Sequence, residues 1–327
     1  MSSANQYPYT PAELESAFQT LSATLFDVTR DIGEDGNPGP KILTVVGVPG
    51  AGKTYMLNNT LLKQPRYKNF VPLYKESFRE LHPRYSEFAD LDVTARYAHT
   101  ETFIRELGGK IFEYATSGLY NIILESAMDT PNAAEIIAGP VFAKYQFDVH
   151  MIGCKKDFVH MSTIKRALNS LDKGLLERFV EIETIQASID NAEAILGALE
   201  LACMRVGGSE IRMYERGFGK LRTTTQLCHS RCDRVNSLTP HEFVDENGVN
   251  IPLEIQTHRI ERNELMTTPC TVSSFVKLTN APVVGTEDRK DAWTEATQSL
   301  QRLGQYQELA PASITAALQA YIEKYQD

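Results

Sequence analysis

The sequence predicts an α/β fold: a parallel five-stranded sheet covered by helices on both faces, with an amphipathic helix before it and an appendage after it. Three observations carry this. Short apolar, β-branched runs bounded by glycine or turn residues recur between residues 41 and 215, the form taken by buried parallel strands. Segments of helical periodicity separate them, and that alternation closes a parallel sheet through crossover helices. The first strand runs into GVPGAGKT, residues 47–54, a full match to G-x-x-x-x-G-K-[ST] in the strand–loop–helix order that the motif requires.

Taken in order, Thr10-Pro11-Ala12-Glu13 is a helix start, with threonine as N-cap, proline at N1 and glutamate at N3. Leu14, Phe18, Leu21, Leu25, Val28 and Ile32 follow as a narrow apolar seam, read as a helix lying on the core or as a regulatory or partner-binding helix. GEDGNPGP, residues 33–40, breaks the chain, so residues 1–40 form an N-terminal helix and linker. Strands are expected at Ile42–Val46, Phe70–Tyr74, Tyr120–Leu124, Phe147–Ile152 and Glu210–Tyr214. Helices are expected after Thr54, then over Asp92–Thr116, Asn132–Tyr145 with a break at Pro140, Asp157–Leu171 and Ala187–Val206. Residues 41–220 make up the α/β domain. Residues 221–327 read as an appendage of short extended runs, such as Val249–Ile255, closed by two helices near 289–304 and 312–325.

The loop is the chemical centre of the chain. Glycines let backbone N–H groups approach an anion without a Cβ in the way, and the following helix adds its own unpaired N–H groups. Gly47, Pro49, Gly50, Ala51 and Gly52 would wrap a nucleoside triphosphate. Lys53 would reach the β- and γ-phosphates, and the Thr54 hydroxyl would hold Mg²⁺.

Charge and cysteine use bound the rest. Lys and Arg number 33 and Asp and Glu 42, a formal charge of −9 that weighs against a general nucleic-acid binder. The N-terminus carries no secretory pattern and no apolar run reaches the length of a membrane span, about 18 residues, so a cytoplasmic protein is expected. The five scattered cysteines then read as reduced thiols, and Cys228-His229-x-x-Cys232 as a loose metal half-site at most.

Acidic groups stand at three positions by the carboxyl ends of strands: Glu76 after the second, Glu125 at the end of the third, and Asp129 four residues on. Ligands of open α/β sheets collect at that edge. Transfer of a phosphoryl group to a hydroxyl needs a carboxylate to orient the hydroxyl and take its proton, and another acid beside the metal. Arg166 on the helix after the fourth strand and Arg178 after the Gly174 turn fit a pair that clamps the transferring phosphate. Lys165 reads as an ordinary solvated residue.

GVPGAGKT, ESFRELHP, YNIILESAMDTP, TIKR and LLER together resemble the zeta-toxin family of phosphate-loop kinases, over roughly residues 41–215. The resemblance implies a P-loop kinase fold, ATP or GTP with Mg²⁺ as cofactors, and an antitoxin or inhibitory protein as partner. Family members typically phosphorylate the 3′-hydroxyl of the amino sugar of UDP-N-acetylglucosamine, and relatives accept other nucleotide-containing small molecules. By position, Lys53 and Thr54 match the nucleotide residues, Glu125 the acid after the third strand, and Arg166 and Arg178 the lid arginines. Glu76 stands where the family has its catalytic aspartate. Arg79 in the same block, with Glu76, Glu125 and Asp129, falls on the acceptor side. The family block Glu-Gly-Thr-Gly-Arg-Thr is Glu125-Ser-Ala-Met-Asp129-Thr130 here, so a hydroxyl becomes Ala127 and a cation becomes Asp129. That exchange disfavours a UDP diphosphate and suits a less anionic acceptor such as a nicotinamide dinucleotide.

The function expected from sequence is therefore an ATP- or GTP-dependent small-molecule kinase that acts as a toxin or effector. Two alternatives stand beside it: a degenerate fold that binds nucleotide as an interaction module, and a nucleic-acid end kinase, which the acidic balance and the lack of a basic–aromatic stripe weigh against.

Overall fold

In a computed structural model of the chain, the apolar run after the linker forms β1 (Lys41–Val46). Ile42, Leu43, Thr44, Val45 and Val46 are all fully buried. Side chains alternate between the faces of a strand, so a strand buried at every position is covered on both sides. The structure describes residues 7–33, 36–37, 39–91, 93–130, 132–171, 179–219, 223–240, 254–255, 258–262, 270–306 and 312–326.

Ahead of the sheet, α1 (Pro11–Leu25) starts on a full capping box: Glu13 N–H donates to Thr10 Oγ1 at 3.2 Å, and Thr10 N–H donates to Glu13 Oε2 at 2.7 Å. After β1 come α2 (Lys53–Asn59), β2 (Val71–Pro72), a single turn α3 (Tyr85–Phe88), α4 (Val93–Ser117), β3 (Ile122–Ser126), α5 (Ala133–Ala138), β4 (Gln146–Gly153), α6 (Lys156–Leu171), α7 (Ile182–Cys203) and β5 (Glu210–Glu215). The five strands pair in parallel in the order β2-β3-β1-β4-β5. Val46 lies level with Ser126 of β3 and with Met151 of β4, so the loops that leave these strands start from one edge. β2 shrinks to two residues because Pro72 has no N–H to extend a ladder, and it sits at the sheet's edge. Gly139 and Pro140 end α5, and a 3-10 turn replaces the rest of the helix expected there.

The sheet does not stop at five strands, which corrects the sequence reading. β6 (Thr223–Arg234) adds antiparallel to β5, β7 (Ser237–Pro240) folds back on β6, and β9 (His258–Arg262) runs parallel to β6 with β8 (Glu254–Ile255) at the far edge, nine strands among the described residues. The cause is chemical. Thr224, Gln226, Cys228, Ser230 and Cys232 are all buried, one face of a strand at period two, but three of the five are polar and the other two are cysteines. Hydrophobic alternation therefore does not show in the sequence.

Three helices follow: α8 (Val272–Thr279), α9 (Thr286–Leu303) and α10 (Ala312–Tyr325), the last two over the stretches expected. They pack on the preceding layer. Lys165 of α6 pairs with Glu295 of α9 at 2.7 Å, Arg302 donates to Asn169 Oδ1 at 2.8 Å, and Tyr321 OH meets His160 Nδ1 at 2.7 Å. Tyr325 and Lys324 both donate to Asp157. Cys228 and Cys270 form a disulfide that ties β6 to the start of α8, which corrects the expectation of five reduced thiols. Cys154, Cys203 and Cys232 are free and buried. Among the described residues no cluster of His, Cys, Asp and Glu suits a metal ion, and no helix is long and apolar enough to cross a membrane.

The seam of α1 is shorter than expected. The helix ends at Leu25 with Phe26 as its C-cap, and Ile32 is exposed. Leu14 and Ala17 face the core and the helix lies on α4, where Glu15 pairs with Lys110 at 2.8 Å and Phe18 meets Tyr114 edge-on. Leu14→Ala is expected to cost about 2–5 kcal/mol in urea unfolding. Deletion of residues 1–36 is expected to lower the thermal midpoint without raising enzymatic turnover. A stable, more active truncated protein would show that α1 restrains the site.

Candidate active site

The loop between β1 and α2 is held by contacts that admit no side chain. A Cβ on Gly47 would fall 2.7 Å from the Ile152 carbonyl oxygen, and one on Gly50 would fall 2.7 Å from the Val159 carbonyl oxygen and 2.8 Å from Thr163 Cγ2. Gly50 and Gly52 have φ of +85° and +93°, the left-handed region that other residues rarely adopt. Ala51 is buried beneath the loop. Gly52 serves as the N-cap of α2, with no side-chain capping hydrogen bond among the described residues.

Lys53 lies back along this loop, and its Nζ donates to the Gly47 carbonyl at 2.9 Å and the Val48 carbonyl at 3.2 Å. Burial pushes its ammonium down to about 8. Glu125 and Asp129 act against that shift, and Arg166 adds to it. Thr54 Oγ1 donates to Glu125 Oε1 at 2.7 Å, so the hydroxyl of the motif and the acid at the end of β3 meet across the edge of the sheet. Their oxygens are of the type that Mg²⁺ takes from protein when phosphates and water fill its remaining positions.

Glu76 opens a 3-10 helix, Glu76–Leu81, and its carboxylate is exposed to the cleft. Its Oε2 accepts from Tyr74 OH at 2.6 Å and from Tyr97 OH at 2.7 Å. Arg79 is buried behind it, donating to Tyr74 OH at 3.1 Å and Thr100 Oγ1 at 2.5 Å, with its guanidinium 3.9 Å from the centre of the Tyr97 ring. Arg79 thus stands behind the carboxylate, its Nε 3.5 Å from Glu76 Oε1.

One cleft of about 1820 Å³ gathers most of the expected residues: Pro49, Gly50, Gly52, Lys53, Thr54, Glu76, Arg79, Glu125, Asp129 and Arg166 line it. Arg178 lies outside the described residues. Sequence reasoning missed Tyr74, Tyr97 and Thr100, and it also missed Arg216. This arginine is buried just past β5, lines the cleft, and donates to Ser162 Oγ at 3.0 Å, while its Nε has no hydrogen-bond partner among the described residues. The one readable signal was the charge of Arg216 just beyond a strand end, and nothing in spacing tied it to the loop.

The chain is an α/β protein built around a glycine-rich loop that matches the phosphate-loop motif. The Zeta toxin family model matches residues 24–218, more than half of the sequence, and the chain belongs to that family. Toxin PezT of Streptococcus pneumoniae serotype 4 is 26% identical over 160 residues, 48% of this chain and 60% of PezT, so the match spans less than two thirds of that relative's length. The structure of the PezAT chromosomal toxin–antitoxin system of the same pathogen aligns over 92% of this chain and 99% of its own, with a TM-score of 0.54 at 18% identity. The native AvrRxo1-ORF1:-ORF2 complex aligns over 96% and 90%, with a TM-score of 0.55 at 11% identity. At these identities the likeness to the two structures is one of fold.

The steric reading of the loop has a direct check. Gly50→Ala is expected to lose at least about 2 kcal/mol of stability and to weaken nucleotide binding, through both its φ and the Val159 contact. Gly108→Ala in α4, where no described atom outside the helix's own backbone stands within 4 Å of the new Cβ, is expected to be neutral or to gain up to about 1 kcal/mol. Equal behaviour of the two variants would contradict the close packing of the loop.

Proposed function

We propose that this protein is a P-loop kinase that transfers the γ-phosphoryl group of ATP or GTP to a hydroxyl of a small, nucleotide-containing metabolite. The observation that carries this reading is the shared cleft. The lysine and threonine of the loop and the exposed Glu76 carboxylate line one space of about 1820 Å³, beyond the range of about 300–1,000 Å³ usual for a single small ligand and ample for a donor and an acceptor together. In this reading Gly47–Thr54 wrap the donor's phosphates, and Lys53 and Arg166 balance charge on the transferring group. Arg178 joins them as the second clamp, by its place in the family pattern. Thr54 and Glu125 would hold Mg²⁺, which when bound supplies charge neutralisation at the phosphates. Glu76 orients the acceptor hydroxyl and takes its proton.

The lining of the cleft supports a phosphate-bearing acceptor with a ring. Lys63, Lys68 and Lys75 stand with Tyr67, Phe70 and Tyr74 on the β2 side. A nucleotide sugar related to UDP-N-acetylglucosamine and a dinucleotide such as NAD both carry those groups. Asp129 occupies the position of the family's arginine and favours the dinucleotide. An antitoxin as protein partner is supported by the toxin–antitoxin system among the structural neighbours.

Two measurements test the reading. Glu76→Gln is expected to lower turnover by at least about a hundredfold with little change in donor affinity, and a variant at the parent rate would place the base elsewhere. The second is donor binding against pH. Phosphate is bound by the ammonium form of Lys53, which the free protein holds fully well below pH 8 and loses as pH rises through about 8. Apparent donor affinity is therefore expected to fall by about tenfold per pH unit above 8. Lys53→Ala is expected to bind weakly at every pH, to show no such slope and to transfer no phosphate. A parent protein with a flat profile between pH 7 and 9 would remove Lys53 from the phosphate site.

A further inference from the structure

A glutamate at the mouth of a cleft has three rotatable bonds, and a base that wanders cannot hold a hydroxyl in line. Glu76 is exposed, yet two separate elements converge on it. Tyr74 comes from the segment after β2 and Tyr97 from the first turns of α4, and both hydroxyls donate to one oxygen, Oε2, at 2.6 and 2.7 Å. The other oxygen, Oε1, has Arg79 Nε at 3.5 Å, beyond hydrogen-bond reach. The two phenols are themselves fixed. Tyr74 OH accepts from Arg79 Nε at 3.1 Å, and the Tyr97 ring lies under the Arg79 guanidinium at 3.9 Å. Arg79 is in turn pinned by Thr100 at 2.5 Å. Order thus passes from a buried arginine through two phenols to one oxygen of an exposed carboxylate.

Resting on the reading of Glu76 as the base, we propose that Tyr74 and Tyr97 are positioning residues that hold Glu76 by Oε2 and so commit Oε1 to the proton of the acceptor hydroxyl. In the step, the acceptor O–H bond breaks and its proton goes to Oε1. The acceptor oxygen forms a bond to the γ-phosphorus, and the bond from that phosphorus to the bridging oxygen breaks, its electron pair leaving with the nucleoside diphosphate. Both tyrosines remain donors throughout the working pH range. Burial foremost, and then the carboxylate they serve, pushes Tyr97 up to about 12 and Tyr74 higher. The arrangement gives the longer side chain of a glutamate the fixity that a shorter acid has by its length alone.

The test uses the full chain and steady-state phosphoryl transfer from ATP and GTP to UDP-N-acetylglucosamine and to NAD. Tyr74→Phe and Tyr97→Phe keep the rings that pack with Arg79 and delete only the hydroxyls. Each is expected to lower kcat by about tenfold and the double variant by about a hundredfold, with the donor KM and the thermal midpoint unchanged. In a Glu76→Gln background the same changes are expected to cost nothing further, because the oxygen they order no longer takes a proton. A Tyr74→Phe/Tyr97→Phe protein at the parent kcat, beside a crippled Glu76→Gln, would overturn the positioning role and leave the base intact. Additive losses in the Glu76→Gln background would overturn it too, by assigning the tyrosines a role of their own. Glu76→Gln at the parent rate would instead bring down the base reading itself. Should the double variant lose stability, the two single variants carry the comparison, since each retains one donor.

Discussion

Gly47 and Gly50 press the phosphate loop against the end of β4 and the first turns of α6 so closely that a single methyl group would collide with a backbone oxygen at either place. The loop side of the cleft takes its position from that contact. Because Gly50 abuts Val159 and Thr163, the loop is registered against the helix that carries Arg166. The parallel register of β1 with β3 sets Glu125 beside Thr54. A cation on one helix and an acid on a strand are thereby referred to the same few backbone atoms, and they need no contact with each other to be correctly spaced.

The electrostatics follow from the same closeness. Lys53 is buried, which disfavours its charge, and the nearby acids Glu125 and Asp129 only partly offset that. In the proposed reading an arriving polyphosphate would supply the missing counter-charge, with part of the desolvation cost already met by the fold. The backbone carbonyls of Gly47 and Val48 hold the ammonium meanwhile. On the opposite flank Arg79 is equally buried but is answered by tyrosine, threonine and glutamate, which makes it an organiser of its neighbours more than a free charge.

The parts of this molecule that were legible in the sequence are those where a residue's neighbours in space are also its neighbours in the chain. The Thr10–Glu13 box, the apolar β1 and the glycine loop are of that kind, and so is the position of Glu76 just past a strand. The cage around Glu76 was not, because Tyr97 is 21 residues away on another helix. The disulfide joins cysteines 42 residues apart with nothing in their spacing to pair them. Lys165 reads in the sequence as an ordinary surface residue, and in the fold it pairs with Glu295 of α9. β6 escaped for a different reason: its buried face is built from threonine, glutamine, cysteine and serine, so the periodicity was there and the hydrophobicity was not.

The junction between β5 and β6 has a practical side. The family match ends at residue 218, between these two strands, and Glu210–Glu215 is paired along its outer edge with Thr225–Arg231. A chain cut at that boundary would keep every expected catalytic residue. It would also bare the hydrogen-bonding edge of β5 and strip away Cys228, Cys270 and Leu278, which stand beside Ile211 and Met213. Open strand edges of that kind recruit other chains. For this protein the smallest unit that keeps the sheet closed at β5 is thus larger than the unit of homology, and libraries, fusions or split versions designed on the family boundary would expose a strand edge that the whole chain covers.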